Sequence, residues 1–284
     1  MAEQENFLSE LTGSFSSPCS ENPTVAVMEA AYQHQNIPAR YINCDVGKAQ
    51  LQAAVAGAKA MGWRGFNCSI PNKQAIIEYI DELGTSAKVI GAVNCVIIRD
   101  GKLIGENTDG KGFVEALIEQ IDINDKSLSL LGAGGAARAI AVESALAGAK
   151  SITIINRDKE KGQALADLIK DNTSADAHFV HWTPGISIAE DQDILVNATS
   201  VGLDDAEAMP EIDANSLRSA LFVADVIPNP PQTRLLRLAE EKGCRTLNGL
   251  NMLVNQGALN LTYWFEVEAD KAPMRKVLED LFTG

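Results

Sequence analysis

Gly132, Ala133, Gly134, Gly135, Ala136 and Ala137 follow the apolar run SLSLL and open a helical stretch. That order suits the binding of a dinucleotide. Gly132 makes a tight turn, Gly134 lets backbone approach a pyrophosphate, and the small Ala137 allows the helix to pack on the strand. The start of such a helix also offers unpaired N–H groups and the positive end of its dipole to phosphates. A second strand ends in Asn156, Arg157 and Asp158. There a carboxylate would accept hydrogen bonds from a free ribose 2′-OH, whereas a guanidinium would pair with a 2′-phosphate. Both groups are present and Lys161 lies one turn further on, so use of both NAD and NADP is expected. The competing reading makes Asp158, Lys159 and Lys161 a solvated helix start and nothing more.

Proton transfer in the same reaction needs a titratable side chain. His34, His178 and His181 lie away from the glycine-rich and strand-end motifs. No cysteine or carboxylate cluster joins the two histidines of HFVHW, so no metal site is expected. The remaining candidates are Lys73, at the end of GFNCSIPNK, and Asp109, in GENTDG. Both follow strands and sit beside small or polar residues that would line a cleft. Taken by themselves, a lysine after a strand is more often a surface charge, and Asp109 can equally be the N-cap of the helix entering at Gly110.

The elements that must hold these groups alternate along the chain. From about residue 38, short β-branched runs such as ARYINCDV give way to helical stretches such as LQAAVAGAKAMGW, with Leu51, Val55 and Ala58 on one face. This alternation predicts βαβ units and a parallel sheet. Asp100-Gly101 between two strand-like runs is a strong hairpin signal and is expected to close the first domain. A second series starts at Ser127, with DILVNATSVG and ALFVADVIPNP as further buried strands whose polar or glycine ends face a ligand at the carboxyl edge of the sheet. The segments GLNMLVNQGALNLTYWFEV and MRKVLEDLF carry no strand signal.

Composition narrows the class. The chain has 284 residues, 24 basic against 38 acidic side chains and a formal net charge of -14. At about 100–200 residues per domain this favours two domains. The acidic balance leaves no basic face for a nucleic acid backbone. No run of 18 apolar residues is present to span a membrane, and the acidic start MAEQENFLSE does not read as a signal peptide. A cytoplasmic location is expected, with the five cysteines as free thiols.

The motifs taken together resemble the shikimate dehydrogenase family, through GFNCSIPNK, IGAVNC, GENTDGKGF, LGAGGAARAI, INRD, VNATSVGL and GLNMLVNQGA in that order. The resemblance implies an α/β fold: an N-terminal α/β catalytic domain completed by C-terminal helices (residues 1–109 and 249–284), with a Rossmann NAD(P)-binding domain inserted (residues 110–248). Carried over residue by residue, it makes Lys73 the catalytic lysine and Asp109 its partner. It makes Ser20, Asn22, Asn67, Ser69, Asn94 and Gln256 the residues that hold substrate hydroxyls or its carboxylate. Thr199 and Gly249 join the glycine turn and the 156–161 strand end as cofactor-binding positions. The implied reaction interconverts a cyclic polyol acid, shikimate or quinate, and its ketone, on a small-molecule substrate and with a homodimer allowed. A hydride leaving a secondary alcohol requires its proton to leave too, and a lysine–aspartate couple within about 3 Å would take it.

The chain departs from the family pattern at substrate-facing places. The usual His-Ser-x-Ser-Pro, whose serines bind the substrate carboxylate, reads Cys19-Ser20-Glu21-Asn22-Pro23 here, with Ser16-Ser17-Pro18 as a competing alignment. Two family threonines are Ser69 and Cys95, and a family tyrosine is Pro228. An intact catalytic pair with altered substrate contacts predicts retained hydride chemistry on an altered substrate, for which another cyclohexane polyol or aminopolyol is the alternative. A dinucleotide-binding regulator without turnover is the remaining alternative.

Overall fold

The computed structural model describes residues 7–203 and 205–282. Tertiary contacts gather into two units. The first runs to Asn107 and includes Gly257–Leu278; the second is Thr108–Gln256 with the residues from Glu279. Asp109 and Gln256 therefore belong to the second unit, whereas the sequence boundaries place both in the first domain.

In the first unit the order is β1 (Glu10–Ser16), α1 (Thr24–His34), β2 (Ala39–Asp45), α2 (Leu51–Ala60), β3 (Gly65–Cys68), α3 (Asn72–Ala75), β4 (Glu82–Leu83), α4 (Thr85–Ile90), β5 (Cys95–Arg99) and β6 (Lys102–Glu106). The sheet order is β2-β1-β3-β5-β6-β4. β1 is parallel to β2 and β3, and β5 runs antiparallel to both β3 and β6. At the hairpin tip Asp100 and Gly101 have φ of 52° and 73°. Two consecutive positive φ values are what a type I′ turn needs, and Asp-Gly supplies them at low cost. Leu51, Val55 and Ala58 are the buried face of α2, as the spacing predicts. They pack with Phe15, Trp63 and Phe66, the Phe15 and Phe66 rings stacking at 4.4 Å.

The late part of the chain closes this sheet. Trp264 donates its indole N–H to the Val96 carbonyl at 3.0 Å, a partner 168 positions away in sequence. Its ring lies so close to Gly65 that a Cβ there would sit 2.5 Å from Cδ1. Glycine is thus required at this position by close approach.

The second unit holds α5 (Thr108–Ile118), β7 (Ser127–Leu131), α6 (Gly135–Leu146), β8 (Ser151–Asn156), α7 (Lys159–Asn172), β9 (Asp176–His181), β10 (Ile194–Asn197), β11 (Phe222–Asp225), α8 (Arg234–Glu241), β12 (Arg245–Leu247) and the start of α9 (Gly249–Phe265). The last helix, α10 (Lys271–Phe282), follows. Its six strands are all parallel, in the order β12-β11-β10-β7-β8-β9. This is the doubly wound order in which the direction of winding reverses between β7 and β10, and ligands bind outside the carboxyl ends of the strands at such a switch. The four inner strands, β7, β8, β10 and β11, are nearly continuous buried runs because both faces are covered, whereas the edge strands β9 and β12 are partly exposed. α5 packs on α6 at Gly110, where a Cβ would lie 2.5 Å from the Ala139 carbonyl oxygen.

Among the described residues no helix is long and apolar enough to cross a membrane, and no group of three or more His, Cys, Asp or Glu is placed to hold a metal ion. All five cysteines are free thiols.

Candidate active site and nucleotide edge

In the first unit, polar residues that the resemblance assigns to substrate gather near the carboxyl ends of β1, β2 and β3. Pairing of Ser14 with Asn43 on one side and Asn67 on the other brings three polar side chains to one face. Asn67 is buried; its Nδ2 donates to the Asn94 carbonyl at 2.9 Å and its Oδ1 accepts from the Tyr41 hydroxyl at 2.8 Å. Burial drives the Tyr41 phenol well above its ordinary range, so it stays a neutral donor. The Asn94 carbonyl also receives the Cys68 N–H at 2.9 Å, tying the β3 end to the turn before β5.

Lys73 is half-buried on α3. The adjoining Asn72 fixes that short helix: its Nδ2 donates to the carbonyls of Phe15 (3.1 Å) and Val46 (2.7 Å), and its N–H to Ser69 at 2.6 Å. The Lys73 carbonyl accepts from Val93 N–H at 2.8 Å. Asn67, Ser69, Lys73 and Asn94 are thus assembled through backbone bonds as one group.

Asn22, in the altered motif, closes a ring of hydrogen bonds. Its Nδ2 donates to Ser14 Oγ (3.2 Å), Ser14 donates to Asn43 Oδ1 (2.9 Å), and Asn43 Nδ2 donates back to the Asn22 carbonyl (3.0 Å). Asn22 Oδ1 accepts the N–H of Thr24 at 3.1 Å, at the entry to α1. Ser20 is exposed in the turn before it. Tyr41, Ser14 and Asn43 were not among the sequence candidates. Their alternation in β1 and β2 was visible, but which strands lie side by side was not.

In the second unit, Asp109 is half-buried in the first turn of α5. Three residues on, Gly112 meets the start of Gln256: a Cβ on Gly112 would be 2.6 Å from the Gln256 backbone nitrogen. Asp109 and Gln256 are accordingly carried by two helices in direct contact.

The glycine turn has the geometry that its residue types predict. Gly132 has φ of 108° and donates its N–H to the Ile155 carbonyl at 2.8 Å. At Gly134 and Gly135 a Cβ would find nothing within 4 Å, and both are exposed at the start of α6, flanked by half-buried Ala133 and Ala136. Space bounded by bare backbone N–H groups at the start of a 12-residue helix is a cradle that fits a pyrophosphate. Ala137 is buried against the strand.

At the β8 end, Asp158 is the N-cap of α7. Its Oδ1 accepts the Lys161 N–H at 3.1 Å, and the Lys161 ammonium lies 3.6 Å from Oδ2. The Lys161 backbone bond holds this carboxyl below its usual pKa. Asn156 donates to the Asp158 carbonyl at 2.8 Å, and Arg157 is exposed beside them. Asp158 therefore performs the helix-start role, while Arg157 faces solvent at the strand end. Replacing Asp158 by Ala is expected to lower stability through the lost cap, read as a lower midpoint of urea denaturation. Replacing Arg157 by Ala is expected to lower the NADP:NAD ratio of kcat/KM about tenfold, the discrimination of one charge-assisted contact. An unchanged ratio would show that the guanidinium does not meet a 2′-phosphate.

Three family models match along the chain: the shikimate dehydrogenase substrate binding domain over residues 15–96, shikimate / quinate 5-dehydrogenase over 115–230, and the shikimate 5′-dehydrogenase C-terminal domain over 249–279. A shikimate dehydrogenase (NADP(+)) of Alkaliphilus oremlandii is 38% identical over 279 residues, covering 96% of each chain. Among solved structures, the ligand-free 5-ketofructose reductase of Gluconobacter sp. strain CHM43 is 54% identical with a TM-score of 0.96, over 98% of this chain and 100% of that one. Shikimate 5-dehydrogenase from Listeria monocytogenes, in complex with shikimate and NAD, is 35% identical with a TM-score of 0.89, over 98% and 99%. Motif order, a doubly wound parallel sheet with its glycine turn at the switch point, and matches along almost the entire length agree: the chain belongs to the shikimate dehydrogenase family and is an oxidoreductase acting on CH–OH groups.

Proposed function

We propose that this oxidoreductase reduces a neutral polyhydroxy ketone to the alcohol with NADPH, with 5-ketofructose the first substrate to test. The observation that carries this reading is the ring at Asn22. Where the family motif is aligned on Cys19–Pro23, the serine pair that receives a carboxylate in the family is reduced to an exposed Ser20 and an Asn22 whose amide is committed to Ser14 and Thr24. A carboxylate arriving there meets no pair of free hydroxyls, and a charged group taken out of water without partners is costly. Ring hydroxyls of a neutral sugar can instead share the Asn and Tyr groups of β2 and β3. The 54% identity to the 5-ketofructose reductase supports the same choice.

The dinucleotide, when bound, supplies the hydride to the carbonyl carbon. Lys73 delivers a proton to the carbonyl oxygen as its charge develops and takes one back from water, while the Asp109 carboxylate favours the charged lysine. Asn67 and Asn94 orient the hydroxyls flanking that carbon, with Ser69 and Gln256 completing the contacts. The N–H groups at Gly134 and Gly135 hold the pyrophosphate, Thr199 and Gly249 border the nucleotide, and Arg157 and Lys161 hold a 2′-phosphate. With Asp158 engaged by α7, NAD is accepted and NADP preferred.

A second reading, shikimate or quinate as substrate, is favoured by the matched family models and the NADP(+)-dependent relatives. Steady-state rates on 5-ketofructose with NADPH, and on shikimate and quinate with NADP and NAD, separate the two. We expect kcat/KM to favour the neutral ketone by at least about 100-fold, the penalty of about 3 kcal/mol for an unpaired charged group. Equal or better turnover of shikimate or quinate would reverse the assignment.

A further inference from the structure

The ends of β10 and β11 are tied by a buried carboxylate that the sequence gives no role. Asp225 is 1% exposed, and Asn197 and Thr233 beside it are equally buried. Its Oδ1 accepts from Asn197 Nδ2 at 3.0 Å and from the Ile227 N–H at 3.1 Å; its Oδ2 accepts from Thr233 Oγ1 at 2.8 Å. Asn197 passes the connection on, its Oδ1 receiving the Thr199 N–H (3.2 Å) and hydroxyl (2.7 Å). This turns the Thr199 methyl toward the glycine turn, where Cγ2 lies 3.2 Å from the place of a Cβ on Gly132. On the other side, Ile227 packs its backbone on Gly249, with 2.5 Å from the Ile227 carbonyl carbon to the place of a Cβ. One carboxylate thus braces the Thr199 turn, the Ile227 turn and the start of α9.

Among the described residues no cation is bonded to this brace. β10 and β11 carry no other titratable side chain, and on α8 Arg234 and Arg237 are bonded to Glu207. Arg245 of β12 is bonded to the Gln120 carbonyl. Burial outweighs the hydrogen bonds and raises the Asp225 carboxyl to about 6. A buried charge held only by neutral donors is an expensive way to shape a turn, and such groups concentrate at functional sites.

The switch between β7 and β10 divides the carboxyl edge into two mononucleotide halves. The glycine turn and Arg157 lie on the first half, Thr199 and Ile227 on the second. We propose that Asp225 is the positioning residue of the second half, holding the Thr199 and Ile227 turns in the arrangement that receives the part of a dinucleotide beyond its pyrophosphate. This rests on the dinucleotide reading above. The ionised form satisfies all three donors at once; protonation turns one carboxyl oxygen into a donor, so one of the three bonds is lost and the brace loosens.

The test compares two ligands by calorimetry from pH 5.5 to 7.5: NADPH, which needs both halves, and adenosine 2′-monophosphate, which needs only the first. Both carry the 2′-phosphate and neither carries another phosphate that titrates in this range, so its titration cancels in the ratio of their Kd values. In the wild-type protein the NADPH:monophosphate ratio of Kd is expected to rise about threefold from pH 7.5 to 5.5, because a carboxyl at about 6 is then about three-quarters protonated and its protonated form binds about tenfold more weakly, the size of one weakened charge-assisted contact. In Asp225→Asn the ratio is expected to be already raised about tenfold at pH 7.5 and flat with pH. A ratio that stays constant in the wild type, or a variant that weakens both ligands equally, as general loosening of the fold would, overturns the proposal. The wild-type titration decides alone if the variant does not fold. Binding of neither ligand by the wild-type protein would overturn it together with the dinucleotide reading, a result distinct from a constant ratio.

Discussion

Lys73→Ala is expected to reduce kcat/KM by about 100- to 10,000-fold, the range of general acid–base contributions, while NADPH binds within about twofold of wild type. The asymmetry follows from where the groups sit. Lys73 is on α3 of the first unit, held by Asn72 and the β1 end, whereas the glycine turn is in the second unit. Stopped-flow rates paired with a nucleotide titration on the same preparation check both halves of the statement. A variant keeping more than about half the wild-type rate would remove Lys73 from proton transfer, since the weakest such contribution exceeds that.

Gly134→Val is expected to weaken NADPH binding by about 100-fold or more with little change in thermal stability. Gly134 has φ of -82°, which any residue adopts, and open space where a Cβ would be. The apoprotein therefore tolerates the side chain. The loss comes from the ligand side, because a branched group would occupy the place of the pyrophosphate and cost at least about 2.7 kcal/mol. Gly132 would make a poorer test: at φ of 108° any other residue strains the backbone itself. Unchanged affinity in a folded Gly134→Val protein would reduce the loop to a structural turn.

Local chemistry made much of this molecule legible. The Asp100-Gly101 hairpin, the buried face of α2 and the strand–glycine–helix unit at 127–146 are each dictated by residues close together in sequence. β1 escaped because it lacks the usual signature: Thr12, Ser14 and Ser16 are buried, so the strand between β2 and β3 reads as a polar segment. Thr12 is satisfied by the Tyr32 hydroxyl at 2.8 Å, a partner 20 residues away. The ring at Asn22 was out of reach for the same reason, since it depends on the register Ser14↔Asn43, which no local pattern encodes.

Asp158 shows a different limit. Both a ribose contact and a helix cap were visible, and the two uses compete for the same oxygens; only the fold shows α7 taking them. Asp225 was legible in principle. A carboxylate ending the apolar run LFVAD has to be paid for by partners, and the search for those partners leads to Asn197 and Thr233.

The bond from Trp264 to Val96 has a consequence for how the protein is made. A ribosome adds about 5–20 residues per second, so the 168 positions separating these partners take on the order of 10–30 s to emerge. Throughout that interval the sheet of the first unit exists without the ring that lies over Gly65. The second unit has all of its strands by residue 247, before that ring is synthesised. The half of the protein translated first is therefore the half that finishes last, and its apolar surface near β3 and β5 is what a nascent-chain chaperone would meet.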